Sequence, residues 1–197
     1  MRHFIYFSSS AATSGSALSR SENLMKAGRM DIALHVIIAA FFLSHDVRKD
    51  VKLHLIFYGM PDPPKHIEIE IKEGLDISKK DVAGLIRKIL YKYQKGKKTE
   101  VFPGVFVEKK SFLNIIQELM DGGKEIFILD KKGEDIREIK TKELEDGVFI
   151  LGDQDGLPLK EMKRLKKTCS MVSIGPKMYF ASQTMAVLNN ELDRRNL

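Results

Sequence analysis

The sequence predicts an α/β protein built on a mostly parallel sheet covered by helices on both faces. Three observations carry that reading. Short apolar runs of strand length alternate with segments of helical period along the chain. Several of those runs, such as FIYF and GVFIL, are apolar throughout, as strands buried on both faces are. The 197 residues, 43% hydrophobic and 30% charged, suffice for a single domain with a sizeable core.

Phe4–Phe7 reads as the first strand, and a Ser/Gly loop follows from Ser8 to Ser21. The apolar run at the start is too short for a signal-peptide core. Asp31–His45 (DIALHVIIAAFFLSH) is apolar nearly all round and predicts a helix buried on more than one side, with His35 a core or interface residue. Val51–Tyr58 is a strand ending at Gly59, before the loop MPDPPKH. HIEIEI alternates apolar and charged residues, the pattern of a half-exposed edge strand.

Ser78 can cap a helix from Lys79 to about Tyr93, and QKGKKTEVFPG, from Gln94, reads as a loop or hinge. Val105–Glu108 is a short strand, and Ser111–Met120 a helix stopped by Asp121-Gly122-Gly123. Three strand–corner units come next. Glu125–Leu129 meets Asp130-Lys131-Lys132-Gly133, Gly147–Leu151 meets Gly152-Asp153-Gln154-Asp155-Gly156, and Met171–Ile174 meets Gly175-Pro176. The last helix begins near Ser182.

In parallel sheets ligands lie beyond the carboxyl ends of the strands, so the three corners form one pocket if their strands are neighbours. There is no GxGxxG and no GxxxxGK[ST], so a dinucleotide or triphosphate cradle is unsupported. Backbone amides with one or two carboxylates suit a purine ring, a ribose and a cationic tail. S-adenosylmethionine fits that description, and so do many plain turns.

Other chemistries find little support. The five histidines are scattered, with no Cys/His spacing for zinc, so no metal is expected. No Gly-x-Ser-x-Gly elbow is present. The one cysteine, Cys169, lies in an apolar strand and reads as a small buried hydrophobe, in keeping with a cytoplasmic setting. No apolar run reaches the roughly 18 residues of a membrane span. The net charge of +6 is uneven: Arg87 to Lys110 holds eight Lys/Arg against two Glu, and KEMKRLKK spans Lys160 to Lys167. Each run alone is a solvated face; the two together favour a polyanionic partner, most simply nucleic acid.

GVFILGDQDG, the basic helix after it and VSIGPKMYFASQTMAVLNNELDRR together resemble the SPOUT methyltransferases. With MRHFIYFSS, AGRMDIALHVIIAAFFLSHDVRKDV and FYGMPDPPK, the likeness covers most of the chain and is closest to the archaeal tRNA pseudouridine N1-methyltransferases, the TrmY family. The resemblance implies a single SPOUT domain over residues 1–197 whose C-terminal part, about 120–197, is tied in a trefoil knot. It implies a homodimer with tRNA as partner and S-adenosyl-L-methionine as cofactor. It assigns Leu129, Gly152, Ser173, Ile174, Gly175, Pro176, Lys177 and Met178 to the cofactor cradle. Thr184 stands near the cofactor where many relatives have Cys, so a thiolate nucleophile is not available there.

Pseudouridine is joined to ribose through carbon, so its N1 carries a proton that must leave as a methyl arrives. A carboxylate beside N1 accepts that proton or orients the base, and the resemblance points to Asp62, among three prolines, as the catalytic group. Arg29 is the candidate for substrate binding, unless it pairs with Asp31. The expected activity is N1 methylation of pseudouridine 54 in the tRNA T-loop. The alternatives are a pseudouridine methylase acting on rRNA, a ribose 2′-O-methyltransferase of the same fold, and a non-catalytic RNA-binding protein.

Overall fold

The computed structural model describes residues 1–20 and 24–197. Eight strands form one sheet in the order β4-β5-β3-β2-β1-β7-β6-β8. They are β1 (Arg2–Ser8), β2 (Val51–Phe57), β3 (Lys65–Glu70), β4 (Thr99–Phe102), β5 (Val105–Glu108), β6 (Ile126–Asp135), β7 (Val148–Gly152) and β8 (Ser170–Ser173). β2, β1, β7, β6 and β8 are mutually parallel, whereas β3, β5 and β4 are added antiparallel. The sheet is therefore mixed, and its parallel half holds the three late corners side by side.

The all-apolar strands do what their composition requires. Every residue of β1 is buried, and successive side chains enter opposite cores. Phe4 and Tyr6 join a large cluster with Leu53, Leu55, Phe149 and Leu151. Ile5 and Phe7 join a smaller one with Ile56, Ile128 and Ile150. The first core is covered by α2 (Met30–Phe41), α3 (Val82–Tyr91) and α7 (Ala181–Arg194). The second is covered by α4 (Phe112–Asp121), capped by Ser111, and by Leu165 of α6 (Leu159–Leu165). Ser78 does cap the turn before α3, its hydroxyl accepting from the Lys80 amide.

Six expectations differ from the structure. The serine loop contains a helix, α1 (Gly15–Arg20), and its last residue lies outside the described residues. The helix of Asp31 stops at Phe41, because Phe42 turns extended and bridges to Val47. His35 on that helix is exposed and not part of the core. HIEIEI is not an edge: β3 lies between β2 and β5, and its charged side faces lysines and other polar groups of the sheet. The supposed hinge after Gln94 contains β4, which pairs with β5 across a bulge. β6 does not end at Leu129. Leu129 and Glu134 both face Val172, so Asp130-Lys131-Lys132-Gly133 is a bulge inside the strand.

The last helix is clamped by one buried arginine. Arg2 donates to Asn189 Oδ1 at 3.1 Å, to Asp193 Oδ1 at 2.7 Å and to the Leu197 carbonyl at 2.6 Å. Asn189 in turn donates to the Ala39 carbonyl at 3.1 Å, satisfying the open end of α2. Arg48 pairs with the other oxygen of Asp193 at 2.5 Å. Arg2→Ala is expected to cost about 3 kcal/mol, the scale for stripping partners from a buried charge. In a chain of this size that is roughly 6–12 °C in thermal midpoint, readable by circular dichroism. Arg48 foremost holds Asp193 below the usual carboxylate range. The stability it contributes is therefore fully present above about pH 4 and lost as pH falls through the depressed value, a loss that Asp193→Asn should remove.

Candidate active site

The carboxyl ends of β1, β2, β7, β6 and β8 lie along one edge of the sheet, and nearly all the candidate residues belong to the segments that leave it. Gly152 ends β7 opposite Phe7 of β1. Leu129 lies half-buried in β6 at the start of the bulge. Ser173 ends β8, and Ile174 to Met178 lead from it toward α7. Thr184 lies one turn inside that helix, its amide donating to the Phe180 carbonyl at 2.8 Å. Because β7, β6 and β8 are consecutive in the sheet, the corners after Gly152 and Ser173 flank the β6 bulge that begins at Leu129; two of the three corners are strand ends and the third lies within its strand.

Local chemistry shapes each corner. Buried Ser173 both receives the Gly175 amide at 3.2 Å and donates to the Gly175 carbonyl at 3.0 Å, which fixes the turn. Gly175 has φ 144, a conformation costly for any side chain. A Cβ there would also stand 3.1 Å from the Tyr179 hydroxyl. A Cβ at Gly152 would come within 2.5 Å of the Gly156 backbone, so the LGDQDG turn closes only over glycine. Beyond Pro176 the turn is open: Met178 is 80% exposed and Phe180 77%.

Asp153, not singled out from the sequence as a site residue, proves to be the tie between β1 and β7. Its Oδ2 accepts from Ser8 Oγ at 2.8 Å, the Ser9 amide at 2.9 Å and Ser9 Oγ at 3.2 Å, while Oδ1 accepts from the Asp155 amide at 3.0 Å. That carboxylate is fully committed, so it is a structural part of the corner, and the more exposed Asp155 is the acid facing outward. The only sequence signal was the DQD between two glycines; the partner serines lie about 145 residues away.

Asp62 and Arg29 occupy the other end of the edge. The loop Ser8–Thr13 links them: Ser10 Oγ donates to the Gly28 carbonyl at 3.0 Å, and Thr13 Oγ1 receives the Asp62 amide at 2.9 Å. The Asp62 carboxylate is bound by Lys109 and by the buried Lys65, whose Nζ also reaches the Asp62 carbonyl at 2.6 Å. The Lys65 ammonium lies 4.0 Å from the centre of the Tyr93 ring, so an aromatic face completes its shell. Hydrogen bonds from Lys109 first, then Lys65, hold the Asp62 carboxyl down at about 2. Such a group is a poor proton acceptor but a permanent negative charge that can receive an N–H. Arg29, at φ 58, is engaged bidentately with Asp31, at 3.1 and 3.0 Å.

Four strand intervals separate β2 from β8, so Asp62 and the Gly175 turn of one protomer are roughly 19 Å apart along the sheet. The basic runs flank the edge unevenly. α6 exposes Lys160, Lys163, Arg164, Lys166 and Lys167, whereas Lys98, Lys109 and Lys110 are tied to Glu68, Asp62, Glu108 and Glu118.

Two outcomes follow. Asp153→Ala is expected to destabilise the chain by about 3 kcal/mol, since charge-assisted bonds from four donors are lost, and a shift in urea midpoint reads it. A pH–activity profile between pH 5 and 8 is expected to show no limb from Asp62. Its depressed value keeps it ionised throughout that window, so an acid limb that vanished in Asp62→Asn would contradict this geometry.

The comparisons with known proteins bear on this edge. A family model described as "Putative SAM-dependent RNA methyltransferase" matches residues 1–197. A tRNA (pseudouridine(54)-N(1))-methyltransferase of Methanococcoides burtonii is 34% identical over 197 residues, covering 98% of this chain and 96% of the relative. One from Methanosarcina acetivorans is 36% identical, covering 98% and 92%. The crystal structure of Archaeoglobus fulgidus Nep1 bound to S-adenosylhomocysteine shares the fold, with a TM-score of 0.64 at 13% identity over 99% of this chain and 98% of that one. The chain belongs to the SAM-dependent RNA methyltransferase family that includes the archaeal tRNA (pseudouridine(54)-N(1))-methyltransferases.

Proposed function

We propose that this chain transfers a methyl group from S-adenosyl-L-methionine to N1 of pseudouridine 54 in the tRNA T-loop. The observation that carries the reading is the end-to-end match to enzymes named for that reaction, at 34–36% identity. The edge geometry agrees with it. Gly152 and Gly175 leave backbone bare on either side of the β6 bulge, and exposed Met178 and Phe180 offer apolar surface for a ring. Leu129, Gly152, Ser173, Ile174, Gly175, Pro176, Lys177 and Met178 would hold the cofactor, with Thr184 on the flanking helix. When bound, the sulfonium cofactor supplies an electrophilic methyl group, so the protein contributes alignment.

Asp62 is the catalytic carboxylate in this reading. With its proton affinity suppressed, it accepts a hydrogen bond from the N1–H of the base and offsets the positive charge that develops on the base as the methyl arrives from the sulfonium; the N1 proton is then released to solvent water and the cofactor leaves as the neutral thioether. The exposed cations of α6 hold tRNA phosphates without reading sequence. Arg29 contributes to binding through its exposed face while Asp31 fixes it. That engagement disfavours ribose 2′-O-methylation, because Arg29 was the arginine available for such chemistry.

We infer a homodimer, a single domain over 1–197 with a trefoil knot in about 120–197, and a cytoplasmic setting. Support for the dimer comes from the exposed apolar residues Met178, Phe180 and Val187 around the start of α7. The separation of Asp62 from the Gly175 turn adds to it, since a second copy can set its Asp62 opposite this turn. No described helix is long and apolar enough to cross a membrane.

The test is methyl transfer from labelled cofactor to two versions of one tRNA, carrying pseudouridine or uridine at position 54. Label on the pseudouridine version alone is expected; equal label on both overturns the N1 reading. Asp62→Ala is expected to lower turnover at least 100-fold with cofactor affinity retained. Gly175→Val is expected to abolish binding of S-adenosylhomocysteine by calorimetry, with tRNA affinity kept.

A further inference from the structure

On the side of the sheet that packs on α4, a polar strip lies within an otherwise apolar surface, set back from the carboxyl edge and beginning beside the lysines that hold Asp62. Strand pairing sets His54 of β2 opposite Glu68 of β3, and His66 opposite Glu108 of β5. His3 of β1, Lys52, Lys98, Lys110 and Glu118 complete the walls of a cavity of about 160 Å³, with Ile115 and Leu119 of α4 as apolar lining. His3, His54 and His66 are all buried, and their rings form a stacked row with centroids 6.0 and 5.2 Å apart.

The protons in this row are arranged by a carboxylate. Glu108 accepts from His66 Nδ1 at 3.0 Å, which leaves a lone pair on His66 Nε2. That nitrogen faces His54 Nδ1 at 3.0 Å. His54 Nε2 and His3 Nδ1 are buried without a hydrogen-bond partner among the described residues. An orphaned buried nitrogen costs about 1–3 kcal/mol, and two side by side in a polar cavity point to a ligand that takes lone pairs.

We propose that His54, His66 and Glu68 bind a divalent transition-metal ion of zinc type, with His3 as the adjacent fourth donor and Glu108 orienting His66. One ligand atom from each of His54, His66 and Glu68 lies within 4.8 Å of the others. Ligand atoms of a tetrahedral zinc site are roughly 3.3 Å apart, so a side-chain adjustment suffices to close it. Glu108 on His66 supplies the carboxylate–histidine support that metal-bound imidazoles carry. Two cations compete for Glu68: Lys52, 3.5 Å away and also paired with Glu70 at 3.1 Å, and Lys98, 41% exposed and bonded at 2.9 Å, which can swing to solvent as the ion enters. The ion would cross-link β2 and β3 and takes no part in methyl transfer. Scattered histidines hid the site in the sequence, because register, not spacing, gathers them.

The test uses the full chain, stripped with a chelator and titrated with Co²⁺ in visible absorbance, then with Zn²⁺ in competition. One equivalent of Co²⁺ with the bands of a four-coordinate site, displaced by Zn²⁺, is expected. His54→Gln should abolish binding, and Glu108→Gln should weaken it about 10–100-fold. Lys98→Met, at a half-exposed position that tolerates change, should tighten it several-fold by releasing Glu68 Oε2, with Lys52 left as the only cation on Glu68 among the described residues. Replacing the exposed His35 and His45 together should leave it unchanged. Absence of saturable binding, binding that survives His54→Gln in a folded protein, or no tightening in Lys98→Met overturns the proposal.

Discussion

The rest of the structure depends on a strand that has no outside. β1 is buried along its whole length and pairs in parallel with both β2 and β7. Its odd and even side chains must therefore fill two different cores, and neither set can slip by one residue without exchanging them. This fixed register delivers Ser8 to the edge where Asp153 waits, and Arg2 to the far end beneath α7. The carboxyl edge is ordered because both of its middle strands are tied by that one carboxylate. The C-terminal helix is ordered because an arginine from the second residue holds it.

Much of the fold was legible because apolar runs in a parallel sheet announce themselves. Val105–Glu108 was bounded correctly, and the late strands β7 and β8 were found within a residue or so. What failed did so for tertiary reasons. The second half of β6, from Asp130 to Asp135, is charged throughout apart from Gly133, and it is strand only because β8 pairs with it on both sides of a bulge. β4 hid in a lysine-rich stretch that reads as solvated loop. The alternation of β3 suggested solvent on one face, yet that face meets other histidines, lysines and glutamates of the same sheet.

The candidate site was legible in part. Strand ends, the bare Gly-Pro turn and the proline-bound Asp62 stood out as local features. The partners of these groups did not. Ser8 with Asp153, and Lys109 with Asp62, are each joined across long stretches of chain, and it is those partners that decide which acid is structural and which remains turned toward a substrate. Among the acidic side chains along the edge, Asp153 is consumed by hydrogen bonds, Asp31 by Arg29, and Asp62 by two ammonium groups, the buried Lys65 and the half-exposed Lys109.

Lys109 is 41% exposed, so its hold on Asp62 is open to competition from any stronger anion in solution. A polyphosphate backbone laid along this loop would draw Lys109 away by counter-ion exchange. With Lys109 gone, Asp62 would keep Lys65 as its cation and have one carboxylate oxygen free to accept from the base. In the proposed reading the pair would be a latch that the nucleic acid itself unfastens, with the carboxylate open to the base only when RNA is bound.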